Sequence, residues 1–172
     1  MKVRTYPKRY VTNLRATAMM YGLTELAVNP EIQEELYREI QAVCGDRLPV
    51  YTDIPNLTYA LCVMYETMRL YPIIGATSLT VSGNQDRTLL GKYPISKDAS
   101  IGLDFYNLHR NENYWENPHK FDPSRFDSRK TEGKEDWYTM PDGRTKIPVR
   151  CAFFGFSDGP RACVGMFPIL FC

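Results

Sequence analysis

The stretch Phe153-Phe154-Gly155-Phe156-Ser157-Asp158-Gly159-Pro160-Arg161-Ala162-Cys163-Val164-Gly165 presents one cysteine on a glycine-punctuated loop, with an aromatic and a cation before it. Gly159 and Gly165 permit tight turns and close approach of backbone to a flat ligand. Phe156 is placed to pack on such a ligand, and Arg161 offers a bidentate fork for a carboxylate. A cation and backbone N–H groups near Cys163 favour the thiolate, the form that ligates a metal. A buried free cysteine beside a turn is the competing reading of the same residues.

The five cysteines are Cys44, Cys62, Cys151, Cys163 and Cys172. None has the spacing of a zinc ribbon or a redox pair. An odd count without a secretory signal points to free thiols in a reducing compartment. With only His109 and His119 available, a bound metal would rest on one cysteine and a cofactor. His109 reads as a hydrogen-bonded structural histidine, not an acid–base group. Cys44, Cys62 and Cys151 read as buried small hydrophobes.

The elements that must hold this loop follow from periodicity. Ala16 to Val28 reads as the end of a helix with a composition suited to burial. Asn29 as N-cap, Pro30 at the first helical position and Glu31 near the positive dipole end start a second helix, which Gly45 stops. A third spans Thr58 to Leu70, with Leu61, Met64, Tyr65 and Met68 as its stripe and Pro72 beyond it. Short β runs separated by Gly83-Asn84, Gly91 and Lys97-Asp98 follow from Ile73 to Leu103, then a helical turn near Asp104–Leu108. Residues 109–148 read as irregular chain anchored by Trp115, Phe121 and Phe126, with Asp127–Lys134 as a solvated loop.

The loop resembles the haem-binding loop of the cytochrome P-450 family, F-x-x-G-x-R-x-C-x-G, through Phe156, Gly159, Arg161, Cys163 and Gly165. A chance match in a chain of this composition is expected at roughly 10⁻⁴. A second signature, E-x-x-R on a helix, occurs twice. Glu35–Arg38 reads as a solvated pair, whereas Glu66–Arg69 lies in a run similar to the family's E-T-x-R-L-x-P. A third resembles Phe121-Asp122-Pro123-Ser124-Arg125-Phe126, whose Arg125 takes the place of the arginine that joins the pair. The resemblance implies that Glu66, Arg69 and Arg125 form a structural charge cluster behind the loop.

The implied fold is mostly α with small antiparallel β hairpins, the C-terminal part of the cytochrome P-450 fold and incomplete. Residues 1–15 are an unmatched basic segment, 16–166 a partial domain running from the end of the central helix through the cysteine loop, and 167–172 an unmatched apolar tail. The implied function is a haem- and iron-binding monooxygenase, with Cys163 the axial ligand of haem b (iron protoporphyrin IX). A flavin-containing reductase would donate electrons, and Ile73, Ile74 and Ala76 suggest a small apolar substrate. Two departures favour an alternative, a catalytically inactive truncated fragment that binds haem weakly or not at all. Leu14 and Arg15 stand where the family's A-G-x-[D/E]-T-T stretch places its threonines, and Pro168 would interrupt the helix that follows the cysteine.

Composition sets the outer bounds. The 172 residues are 44% apolar and 24% charged, with net charge +1, the proportions of a soluble globular protein. No global field favours nucleic acid. Residues 1–15 do carry Lys2, Arg4, Lys8, Arg9 and Arg15 and no acid, compatible with a short targeting segment or a basic binding arm. No apolar run approaches the ~20 residues of a membrane span. The resemblance is to microsomal members and implies the endoplasmic reticulum membrane for full-length relatives; this chain, without an anchor, is expected to be cytoplasmic-facing or soluble.

Overall fold

A computed structural model describes residues 8–81, 86–131, 137–140, 143, 145–148, 150–157 and 163. The chain opens with two consecutive helices, α1 (Lys8–Val28) and α2 (Pro30–Cys44). Helix α1 begins well before Ala16 and runs through the boundary expected between an unmatched segment and the domain. Its apolar composition does not bury it: Met19, Met20, Leu23 and Val28 are all more than half exposed. Only part of its surface packs, with Leu26 against the core and Tyr21 stacked on Tyr71 at 4.5 Å.

Asn29 separates the two helices without capping α2 through its side chain. Its Nδ2 donates backward to the Glu25 carbonyl at 2.8 Å, closing α1 instead. Helix α2 therefore starts on Pro30, whose missing N–H needs no cap, and stops at Gly45 with φ of +62°, a left-handed value that glycine adopts without strain. On its exposed face Arg38 pairs with Glu34 at 3.2 Å, the partner four residues earlier that the sequence offers alongside the Glu35–Arg38 match. Spacing of four gives the better reach.

Helix α3 (Thr58–Leu70) is the central element, and most of its residues are buried. A helix enclosed on all sides can afford apolar residues all round. Tyr59, Val63 and Leu70 face Ile32 and Leu36 of α2, Leu26 of α1, and Phe121. Cys62, Tyr65 and Met68 face a second cluster with Trp115, Phe126, Phe153 and Phe156. Its N-terminus lacks a local cap. Glu39 of α2 supplies one, accepting from Tyr59 N–H at 2.6 Å, Ala60 N–H at 2.9 Å and Thr58 Oγ at 3.0 Å. The connection before it, including a 3-10 turn at Tyr51–Asn56, is tied by Asp53. That carboxylate accepts both Arg47 guanidinium nitrogens and Val50 N–H, and Arg47 holds it well below the usual carboxylate range.

Beyond α3 come strands β1 (Ala76–Thr80), β2 (Arg87–Leu89), β3 (Tyr93–Ile95) and β4 (Ser100–Asp104). They form two two-stranded antiparallel sheets, β1 with β4 (Ala76 opposite Asp104) and β2 with β3. The short helix α4 (Phe105–Leu108) follows, capped by Asp104 accepting from Asn107 N–H at 3.0 Å. A third hairpin of β5 (Tyr138–Thr139) and β6 (Lys146–Ile147) lies inside the stretch read as irregular. Trp115, Phe121 and Phe126 are buried there as expected. Asp127 is not a solvated loop residue: it is buried and holds Arg129 in a fork within a 3-10 turn at Ser128–Thr131. No described helix is long and apolar enough to cross a membrane.

Candidate functional site

At the C-terminal end of α3, Glu66 and Arg69 are both fully buried. A separation of three puts the carboxylate and guanidinium on one face, and they meet in a fork at 2.7 and 2.8 Å. Arg125 joins Glu66 Oε1 at 3.3 Å, and Asp122 N–H donates to the same oxygen at 2.9 Å. Burial pushes the Glu66 carboxyl up, opposed by Arg69, the Asp122 amide and Arg125. The remaining Arg69 donors go to three carbonyls of the chain that passes it, His109 at 2.7 Å, Pro118 at 2.8 Å and Lys120 at 3.3 Å. Its guanidinium also lies 5.3 Å from the Trp115 ring centroid. One arginine thus fixes residues 109–120 against α3, which is how an irregular segment stays in place.

That segment in turn holds the start of the cysteine loop. Trp115 Nε1 donates to the Ala152 carbonyl at 3.3 Å, and His109 Nε2 accepts Phe154 N–H at 2.8 Å. The Phe153 ring sits among Tyr65, Phe126 and His109, with centroids 5.1 to 5.7 Å away. At Gly155 the loop passes so close that an added Cβ would stand 2.4 Å from Phe153 Cζ and 2.6 Å from Met68 Cε. The backbone then reverses through Ser157, at φ of +61°, whose N–H donates to the Phe154 carbonyl at 3.1 Å.

Cys163 is exposed, and its N–H donates to the Phe156 carbonyl at 2.8 Å. The fold therefore brings together two of the loop residues singled out by sequence, Phe156 and Cys163. Phe156 lies in the core cluster at 8% exposure, so its ring anchors the loop from behind. Gly159, Arg161 and Gly165 lie outside the described residues. Of the other cysteines, Cys44 and Cys62 are buried, but Cys151 is exposed on the 3-10 turn before the loop. Ile74 is 53% exposed on the way into β1, at a surface the chain leaves uncovered.

Among the described residues no group of three histidines, cysteines or carboxylates could hold a bare metal ion. One exposed thiol without further protein ligands suits an iron that brings its own ligands in a macrocycle, and Cys163 fits haem in that sense. His109 and Trp115 as loop tethers were not assigned that role from sequence. Their partners are backbone atoms some 40 positions away, which no local pattern announces.

A part-helical scaffold with small antiparallel sheets, which presents the Cys163 thiol on a backbone-pinned loop and carries a Glu–Arg–Arg cluster at its central helix, defines the class. Residues 15–167 match the family described as Cytochrome P-450, and the chain belongs to that family. It is similar to the chloroplastic protein LUTEIN DEFICIENT 5 of Arabidopsis thaliana, at 30% identity over 87% of this chain and 23% of the relative. It is 33% identical to cytochrome P-450 3A18 of Rattus norvegicus (88% and 27%) and 34% identical to cheilanthifoline synthase of Eschscholzia californica (88% and 29%). The chain spans about a quarter of the length of the curated relatives it matches.

Proposed function

We propose that this chain carries the haem-thiolate half-site of a monooxygenase, with Cys163 as the axial ligand of haem b. The observation that supports it is an exposed Cys163 thiol whose own backbone N–H is pinned to the Phe156 carbonyl at 2.8 Å. The pin fixes the backbone from which the thiol projects, on a loop whose Phe156 is anchored in the core. When bound, thiolate-ligated haem supplies oxygen activation for inserting one oxygen atom into a substrate.

The chain's own residues do the positioning. Phe153 and Phe156 exclude water behind the loop, and Arg161 is the partner for a haem propionate, a role carried over from the family pattern. Gly159 and Gly165, also carried over from the family pattern, would leave room for the macrocycle. Glu66, Arg69 and Arg125 hold the passing chain and take no part in chemistry. A flavin-containing reductase is the proposed electron donor, and a small apolar molecule the proposed substrate. The endoplasmic reticulum membrane, where the resemblance places full-length relatives, is the proposed setting.

The test is spectroscopic. The chain, loaded with haem, reduced and exposed to carbon monoxide, is expected to show the red-shifted Soret band of thiolate ligation, and Cys163→Ala should abolish it. A band typical of a neutral thiol or histidine in the unaltered chain would overturn the assignment.

A further inference from the structure

We infer that His109 is a positioning residue that sets the start of the Cys163 loop, holding Phe154 N–H through Nε2 as the neutral Nδ1–H tautomer. Its relevance to ligation rests on the reading of Cys163 given above; the tether itself does not.

Phe154 N–H is a donor only, so the nitrogen it reaches at 2.8 Å must offer a lone pair. Nε2 is therefore unprotonated and the proton sits on Nδ1. The ring is completely buried and clamped in plane, with Phe153 stacked at 5.1 Å and Phe105 at 6.3 Å. Phe105 also stacks on Phe154 at 5.4 Å, so the same aromatic layer orients both partners of the hydrogen bond. Nδ1 is buried and makes no hydrogen bond of good geometry. The carbonyls at the end of α3, those of Arg69 and Met68, are the backbone groups that act on the imidazole. His109 thus stands between the end of α3 and the first residues of the loop.

The surroundings select the neutral ring. Burial, together with the Arg69 and Arg110 charges, lowers its pKa to about 4, although the α3 carbonyls pull the other way. Glu66, the acid paired with Arg69 and Arg125, is not among the groups acting on the imidazole. An imidazolium would aim a second N–H at the Phe154 N–H and lose the tether. This is the arrangement expected of a group that orients a ligand-bearing loop from behind without touching the ligand.

The experiment is amide hydrogen exchange on the 172-residue chain without haem, comparing His109→Phe and His109→Gln. Phenylalanine keeps ring bulk and removes the acceptor, while glutamine restores one. His109→Phe is expected to speed exchange at Phe154 by roughly ten- to a hundredfold, the scale of one lost buried acceptor, with α3 amides unchanged. His109→Gln should recover most of that protection. Unchanged exchange at Phe154, or equal acceleration across α3 and the loop, would overturn the inference. If His109→Phe does not fold, the ¹⁵N spectrum of the unaltered chain decides: Nδ1–H at neutral pH supports the tether, and Nε2–H or an imidazolium defeats it. Cys163→Ala should leave Phe154 protection intact, so failure of the haem reading and failure of the tether give different results.

Discussion

The carboxylate of Glu66 is reached by two arginines and a backbone amide in a fully buried setting. Such a cluster is weak evidence of net stabilisation, but removing one member strands the rest. Arg69→Ala is therefore expected to destabilise the chain by about 3–5 kcal/mol, read from its urea midpoint. It should also free the carbonyls of residues 109, 118 and 120. Arg69→Met with Glu66→Leu removes the stranded charge but leaves Arg125, the Asp122 N–H and the three carbonyls without these partners, so it should recover only part of the stability. Full recovery would contradict the role of Arg69 in holding residues 109–120. His109 gives a pH signature. Its folded pKa of about 4 lies below the ordinary value of 6.5, so between these the unfolded chain binds the extra proton. Stability contributed by the neutral ring is full above pH 6.5 and is lost as pH falls towards 4. Unfolding midpoints measured across that window should decline more steeply in the unaltered chain than in His109→Gln. Asp53, Asp122 and Asp127, all held below their usual range, lose their contribution only at lower pH.

Helices α2 and α3 and the order of the β hairpins were legible because each is written locally. Pro30 and Gly45 bracket one helix, a Leu61–Tyr65–Met68 stripe marks the next, and Gly91 and Lys97-Asp98 separate β2, β3 and β4; Gly83-Asn84 lies outside the described residues. Helix α1 was legible only in its second half, since its first turns show no apolar stripe. The β5–β6 hairpin pairs only Tyr138–Thr139 with Lys146–Ile147, too short for alternation to register. Contacts made across elements were invisible in principle. Glu39 caps α3 from a different helix, about 20 positions away in sequence, so no capping pattern points to it. Glu39→Ala should cost about 1–2 kcal/mol in denaturant unfolding, with helix loss concentrated in the first turn of α3. Glu39→Gln, which keeps one acceptor oxygen, should cost less. Gly155 makes the corresponding claim for the loop. A methyl there can push Met68 Cε aside, but the Phe153 ring is locked among Tyr65, His109 and Phe126. Gly155→Ala is expected to destabilise by about 1–3 kcal/mol and to broaden the NMR signals of Phe153 and Phe156.

Across the whole molecule, two clusters meet on α3, one joining it to α1 and α2 and one to the cysteine loop. The family resemblance was readable because its signatures are short and each sits on a segment the fold must hold still. The function proposed for the site depends on one atom, the Cys163 sulfur, and on the loop that carries it. Reduced, carbon monoxide-difference spectra of the haem-supplemented chain, beside Cys163→Ala, test that claim most directly. The account predicts a red-shifted Soret band in the unaltered chain and its disappearance in the variant. A spectrum without that band, or one that Cys163→Ala leaves unchanged, would contradict thiolate ligation by Cys163.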